Sequence, residues 1–378
     1  MPPATVKRAL ERALTRARAG PSWGVPAARA PGSAAGASGS AARAPGRVTL
    51  IGDHTDYNGG LSLPMAIDLA TEVTFTPRPG SFLVGIDSDQ FPGRPLEIAL
   101  GDAAPVAPEA ALAAGLLRLC PPPSGGTVVV TSTLPVGAGL SSSAAFSVAL
   151  LLALGHDGDH LGLARDAQEA ERSAGAHVGL LDPLAIAAAE AGHAVLIDFG
   201  TLEMRQIAVP ADAALVIVHS ETPRLLTDTP YAERRSECER AAHVLGRPLG
   251  ACEIGDLSAL SDPVLRRRAR HVITECARVR EAERLLARGN LGGLGAVMTE
   301  GHRSLAGDFK VSLPDIDKLV EHLLVQPGVL GARLSGGGFG GCVIALCEPD
   351  SPALDPASHA PRRAWRVSPA GGAARRAT

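Results

Sequence analysis

The stretch GRVTLIGDHTDYNGG, Gly46 to Gly60, decides how this chain is read. Its first half, RVTLI, has the apolar and β-branched character of a buried strand. The strand then runs into DHTD, which sets two carboxylates, a histidine and a threonine in four positions before a turn written YNGG. So dense a set of hydrogen-bonding groups at the end of an apolar strand asks for a partner. The rest of the chain bounds what that partner can be.

At 378 residues the chain is long enough for two domains or one large one with an ample core. Hydrophobic residues make up 46% and charged residues 20%, with a net charge of -3, which describes a soluble protein and argues against a nucleic-acid or polyanion binder. Aromatics are only 3%, too few for base-stacking platforms. Cys120, Cys238, Cys252, Cys276, Cys342 and Cys347 are scattered without a C-x-x-C pair, a usage that fits a reducing compartment. The first twenty residues are charged but have no continuous apolar core. Leu10 and Leu14, four apart, suit a surface amphipathic helix better than a targeting peptide. The longest apolar run, AAFSVALLLALG, is too short to span a bilayer. A cytoplasmic protein with neither a membrane nor a nucleic-acid partner is expected.

Residues 26–45 are low in complexity (Ala, Gly, Ser, Pro) and read as a flexible lead-in, with order starting at Gly46. Strand-like segments follow (RVTLIG, TEVTFTP, FLVGID, TVVVTST), then helical ones from about Ser142, then HAVLIDF and AALVIVHS as strands again. The second half is mostly helical and ends in GARLSGGGFGGCVIALC. The pattern is α+β. It divides into a lead-in at 1–43, an N-terminal domain at 44–200 and a C-terminal domain at 201–378.

Two glycine-rich segments carry the clearest chemistry. In LPVGAGLSSSAAFSVALLLAL, Leu134 to Leu154, Gly137 and Gly139 permit close backbone approach, and three serines open an apolar helix. A helix N-terminus presents unpaired N–H groups and the positive end of the macrodipole, which suits a phosphate. No lysine follows the glycines, so this is not a Walker A loop. A single serine would be an ordinary helix cap; three in a row after G-x-G favour phosphate. LSGGGFGGCVIAL, Leu334 to Leu346, is a second glycine loop, able to close over the same nucleotide.

In order and spacing, GRVTLIGDHTDYNGG, PVGAGLSSSAA and SGGGFGGC resemble the three motifs of the GHMP kinases, and the first resembles the signature of the galactokinase branch. HRSLAGDFKVSLPDIDKLV and YAERRSECERAA are similar to segments of the same branch. The resemblance implies two α+β domains with the active site in the cleft between them. It implies phosphorylation of α-D-galactose at the C1 hydroxyl by ATP with Mg²⁺, by a protein expected to be a monomer. A sugar presents a ring of hydroxyls, and a dense patch of donors and acceptors fixes one stereoisomer. By resemblance the sugar is held by Asp53, His54, Thr55, Asp56, Gly179 and Tyr231, and the phosphates by Gly137, Ala138, Gly139, Leu140, Ser141, Ser142 and Ser143.

Asp182 matches the family's base for the C1 hydroxyl, with Arg47 keeping it ionised and neutralising the moving phosphoryl group. Ser143 and Glu171 match the metal-holding positions. Asp182 before Pro183 also fits a helix N-cap, and Glu171 also fits a solvated helix face. Several positions depart from the family pattern. Asp53 stands for the usual Glu, Thr49 for Asn and Pro183 for Gln, while residues 100–120 lack the Trp and Tyr of the family's adenine pocket. The alternatives are a kinase of a related sugar such as N-acetylgalactosamine, or a catalytically silent sugar sensor. The intact GLSSSAA, Arg47 and Asp182 favour the enzyme.

Overall fold

In the computed structural model, which describes residues 39–101, 107–176, 178–222 and 229–376, the apolar stretch around Gly46 forms most of strand β1 (Ser40–Ile51). The strand begins earlier than composition suggests. Ser40–Pro45, read as part of a flexible lead-in, are already paired with one neighbouring strand, and Ala41–Arg43 with a second on the other side; Ala42 and Ala44 are fully buried. Small side chains that could not build a core alone are held here by strand pairing on both sides. The expected helix around Leu10 and Leu14 lies outside the described residues, as does the rest of the lead-in up to residue 38.

Strand β1 pairs antiparallel with the long β2 (Leu61–Pro77), through the turn that DHTDYNGG forms. The sheet continues with β3 (Leu83–Ser88), β4 (Leu96–Ala99) and β5 (Gly126–Ser132) in the order β1-β2-β5-β3-β4, while β6 (His193–Asp198) and β7 (Met204–Ala208) extend it from the turn end of β2. Along β5 the residues alternate between core and solvent, the period-two pattern of a sheet with one covered face. Helices α1 (Ala111–Leu119), α2 (Ser142–Leu154), α3 (His160–Ser173) and α4 (Leu181–Ala188) cover that face. The central one is α2, apolar almost all round because it packs on β1 and β2 and is flanked by the other three.

The second sheet is built from β8 (Ala214–His219), β9 (Val329–Ser335), β10 (Cys342–Cys347) and β11 (Ala364–Val367), ordered β11-β8-β10-β9. Helices α5 (Thr229–Leu245), α6 (Pro263–Ala287), α7 (Leu291–Ser304) and α8 (Pro314–Leu324) supply the helical content expected of this half. Helix α7 lies directly on β9. Gly331 of the strand faces Gly295 of the helix so closely that a Cβ there would sit 2.0 Å from the Gly295 carbonyl oxygen.

The chain after Cys347 carries no signal that sequence reading caught, yet it ties the two sheets together. After β11 it crosses to the first sheet, forms an isolated bridge between Pro369 and Ile67, and adds β12 (Ala374–Arg376) beside β1. All six cysteines are free thiols. Among the described residues no helix is long and apolar enough to cross a membrane.

Candidate active site

Strand β1 pairs irregularly with β2 at two places, between Pro45 and Gly46 and between Thr49 and Ile51. Such bulges re-aim side chains, and the residues they bracket, Arg47 and Thr49, line a cleft of about 420 Å³. The DHTD turn, the start of α2, the segment entering α4, Tyr231 of α5 and the second glycine loop form its other walls. Of the residues singled out in the sequence, all but Thr55, Ala138 and Leu140 belong to this lining.

Arg47 is buried, and its guanidinium grips Asp182, with Nε at 2.7 Å and Nη2 at 2.6 Å from Oδ1. A third donor, Nη1, reaches the Gly139 carbonyl at 2.8 Å, so the same side chain also fixes the phosphate loop. The Asp182 side chain keeps 34% of its surface exposed towards the cleft. Its other oxygen, Oδ2, accepts the Ser141 hydroxyl at 2.5 Å. The helix-cap alternative for Asp182 does not hold: α4 starts at Leu181 with Leu180 at the cap position, and Asp182 lies inside the first turn.

Gly179 has no Cβ for a visible reason, since one would lie 1.6 Å from Asp56 Oδ2. The carboxyl of Asp56 is thereby packed against the segment that carries Asp182. Burial, with the Asp182 charge adding to it, pushes Asp56 up to about 6. His54 occupies the left-handed region at φ 64°, and its Nδ1 lies 3.0 Å from the Tyr57 hydroxyl. Its ring also meets Phe309, buried behind the turn, at 4.6 Å and Tyr231, which shares the cleft lining, at 5.6 Å between centroids. Thr55 is a correction: it is fully buried, and its Oγ1 lies 2.8 Å from the Gly52 carbonyl and 2.7 Å from that of Leu61. It braces the turn from inside instead of facing the cleft.

Asp53 does line the cleft, but both of its oxygens already have protein partners. Oδ2 pairs with Arg333 at 2.7 Å and Oδ1 accepts the Gly336 N–H at 2.9 Å. Burial raises its carboxyl to about 6, against the lowering pull of Arg333.

At the other end, Gly137 and Gly139 adopt positive φ (75° and 79°), and Ser141 follows in the left-handed region at φ 63°. Helix α2 has no side-chain cap: Ser141, in the left-handed region, directs its hydroxyl to Asp182. Its first turn lines the cleft, and uncapped N–H groups of that kind suit an anion. Ala138 and Leu140 turn their side chains into the core and contribute backbone only; the Leu140 carbonyl accepts from Arg47 N at 3.3 Å. Ser143 donates to Glu171 Oε1 at 2.8 Å. Glu171 is 6% exposed, and burial raises its carboxyl to about 7. It is thus no solvated helix face. Among the described residues, no group of three or more His, Cys, Asp or Glu forms a metal cage. Across from α2, Gly336 to Phe339 close the cleft, with Ser335 Oγ accepting the Thr49 N–H at 2.9 Å.

These features join a sugar-type polar turn, a phosphate-type helix start and an arginine-held carboxylate in one cleft. The comparisons with known proteins agree with that reading. A family model of the galactokinase galactose-binding signature matches residues 29–77, and those of the GHMP kinase N-terminal domain and C-terminal region match residues 109–190 and 282–361. The chain is 39% identical over 327 residues to a galactokinase of Homo sapiens, covering 82% of this chain and 83% of the relative.

The chain belongs to the galactokinase family.

A Mycobacterium tuberculosis (strain H37Rv) galactokinase is 41% identical over 322 residues, covering 81% of this chain and 88% of that one. Among solved structures, Lactococcus lactis galactokinase complexed with galactose superposes with a TM-score of 0.83 at 28% identity, over 89% of this chain and 95% of that one. A Methanococcus jannaschii mevalonate kinase, at 18% identity and a TM-score of 0.64, shares the fold. This galactokinase family member is thus an ATP-dependent sugar kinase of GHMP fold.

Sequence reading missed the groups that hold the site from behind, chiefly Arg333, Glu275 and Phe309. One signal was available for Arg333. A charged residue inside the otherwise apolar strand GARLS needs a buried counter-charge.

Proposed function

We propose that this cleft transfers the γ-phosphoryl group of ATP to the C1 hydroxyl of α-D-galactose, giving galactose 1-phosphate and ADP. The observation that carries the reading is the position of Asp182. It lies between Asp56 of the sugar turn, against which Gly179 is packed, and Ser141 of the phosphate loop, with Arg47 bonded to it. Asp182 accepts the C1 hydroxyl proton while the oxygen's electron pair forms the new P–O bond. The bond to the β–γ bridging oxygen breaks, and that oxygen leaves with ADP. Phosphoryl transfer asks chiefly for positioning and charge neutralisation, which the Arg47 guanidinium supplies.

Asp53, His54, Asp56, the Gly179 backbone and Tyr231 take the sugar hydroxyls, and the start of α2 takes the phosphates. Ser143 and Glu171 are the groups to hold Mg²⁺. They offer two hard oxygen donors 2.8 Å apart, and a buried carboxylate pushed up to about 7 is one a divalent cation would favour in its ionised form. One hydroxyl and one carboxylate suit Mg²⁺, which keeps waters and takes its remaining oxygens from substrate phosphates. When bound, the ion would neutralise phosphate charge. We place the domain boundary near residue 200, and the protein in the cytoplasm as a monomer. A silent sensor is not favoured, because base, arginine and serine loop are all in contact.

Sugar selectivity tests the reading. A site that hydrogen-bonds hydroxyls penalises any analogue that leaves those groups unpaired. Glucose, which differs at C4 alone, should be used with kcat/KM lower by roughly 10²-fold or more. Equal use of the two sugars would remove galactose as the substrate.

A further inference from the structure

Behind the sugar turn lies a buried layer of charge that proton and phosphoryl transfer do not use. Arg333 of β9 is 0% exposed. Its Nη2 donates to Asp53 Oδ2 at 2.7 Å and its Nη1 to Glu275 Oε1 at 3.0 Å. Glu275 is equally buried; its Oε1 also accepts the Gly52 N–H at 2.9 Å, and its Oε2 accepts from Arg278 Nε at 2.7 Å. Helix α7 has a glycine where it passes this cluster, since a Cβ at Gly301 would lie 2.7 Å from Arg333 Nη1.

Burying an arginine with two carboxylates is an expensive way to fill a core, where apolar side chains of similar volume do as well or better. What the cluster achieves is to fix one carboxylate. With Oδ2 held by Arg333, Asp53 presents Oδ1 to the Gly336 N–H at 2.9 Å. Asp53 belongs to the sugar turn, and Gly336 begins the glycine loop that closes the phosphate end of the cleft. Gly336 itself has φ 89°, so its amide direction is a particular one and not a default of the chain.

We propose that Asp53 couples the sugar and nucleotide sites, and that Arg333 is the positioning residue holding its carboxylate between them. A sugar hydroxyl bonded to Asp53 restrains the carboxylate, the carboxylate restrains Gly336, and the glycine loop is set for nucleotide. By linkage, nucleotide raises sugar affinity by the factor that sugar raises nucleotide affinity. The inference rests on the kinase reading of the cleft.

Titration calorimetry on the full chain tests it without turnover. Galactose affinity is measured with and without a non-hydrolysable ATP analogue and Mg²⁺, in the wild type, Asp53→Asn and Arg333→Lys. The wild type should bind galactose about fivefold more tightly with the analogue present, at the low end of usual couplings. In Asp53→Asn the amide cannot face both Arg333 and Gly336, and in Arg333→Lys one ammonium cannot span Asp53 and Glu275. Arg333→Lys should keep galactose binding and lose the enhancement; Asp53→Asn, which alters a sugar-binding carboxylate, should bind galactose more weakly and show the same affinity with and without the analogue. A purely structural role for Arg333 would lower Tm and leave the enhancement intact. If Arg333→Lys does not fold, Asp53→Asn decides alone. Enhancement retained in the folded variants, or absent from a wild type that binds both ligands, overturns the coupling and leaves the kinase reading standing. A wild type that binds neither ligand overturns the kinase reading and the coupling with it.

Discussion

A carboxylate that takes a proton from a substrate must be held on one side and open on another, and Asp182 meets both conditions. Arg47 and Ser141 bond its two oxygens while a third of its side chain faces the cleft. Asp182→Asn keeps the shape and removes the proton acceptor, so kcat should fall by roughly 10²–10⁴. Galactose affinity, read by calorimetry, should change little. Near-full turnover in that variant would leave Asp182 a structural role only. At saturating ATP and Mg²⁺, where the metal would keep Glu171 ionised, two other carboxyls set the acid side of the pH profile for galactose. Asp53 and Asp56 are both raised to about 6, by burial first, and for Asp56 also by the Asp182 charge. On the proposed reading both are ionised above pH 6 and accept sugar hydroxyls; as pH falls through 6 each gains a proton and loses acceptor capacity. The plot of log(kcat/KM) for galactose should therefore drop below pH 6 with a slope approaching two. Asp56→Asn should reduce that slope to one. A profile flat down to pH 5 would contradict the assignment of these carboxylates to the sugar.

At the level of elements, the segment entering α4 is positioned by the absence of a side chain. In Gly179→Ala the new Cβ would fall on Asp56 Oδ2, so that carboxylate must move. The KM for galactose should rise tenfold or so, the order of effect of a misplaced substrate group, with the KM for ATP nearly unchanged; steady-state kinetics with each substrate varied separates the two. Equal rises in both would mean that the whole cleft had shifted. What the sequence made legible at this scale was local. A strand followed by DHTD, and a G-x-G turn running into an apolar helix, are contiguous signals, and both elements are present, the strand reaching back to Ser40. What it hid was distant. Asp53 meets Arg333 across 280 positions and Thr49 meets Ser335 across 286, and no local pattern reports such pairings. For the same reason Thr55, read with its neighbours as a sugar group, proved to brace the turn through Gly52 and Leu61. Ser40–Pro45 look formless by composition and become a strand because β2 pairs along all of them and β12 along Ala41–Arg43.

Across the whole molecule, the two sheets are joined by a tail that sequence reading left without a role. Arg375 extends from β12 to the Leu152 carbonyl at 3.1 Å, near the end of α2, and Arg376 pairs with Glu72 at 2.6 Å. Deleting residues 370–378 should lower Tm by about 5 °C or more, given that 1 kcal/mol shifts a chain somewhat smaller than this by about 2–4 °C. The KM values should stay as they are, because none of the deleted residues lines the cleft. An unchanged Tm would show that the crossing does not contribute to holding the sheets. The central claim, that this cleft phosphorylates galactose at C1 with Asp182 as base, has a direct test in the product. The full chain is incubated with α-D-galactose, ATP and Mg²⁺, and the mixture is followed by phosphorus and proton magnetic resonance. The account predicts one sugar phosphate, its phosphorus coupled to the anomeric proton in the α configuration, formed in step with ADP and slowed at least a hundredfold in Asp182→Asn. Failure to transfer phosphate to galactose, or transfer to any hydroxyl other than that at C1, would contradict it.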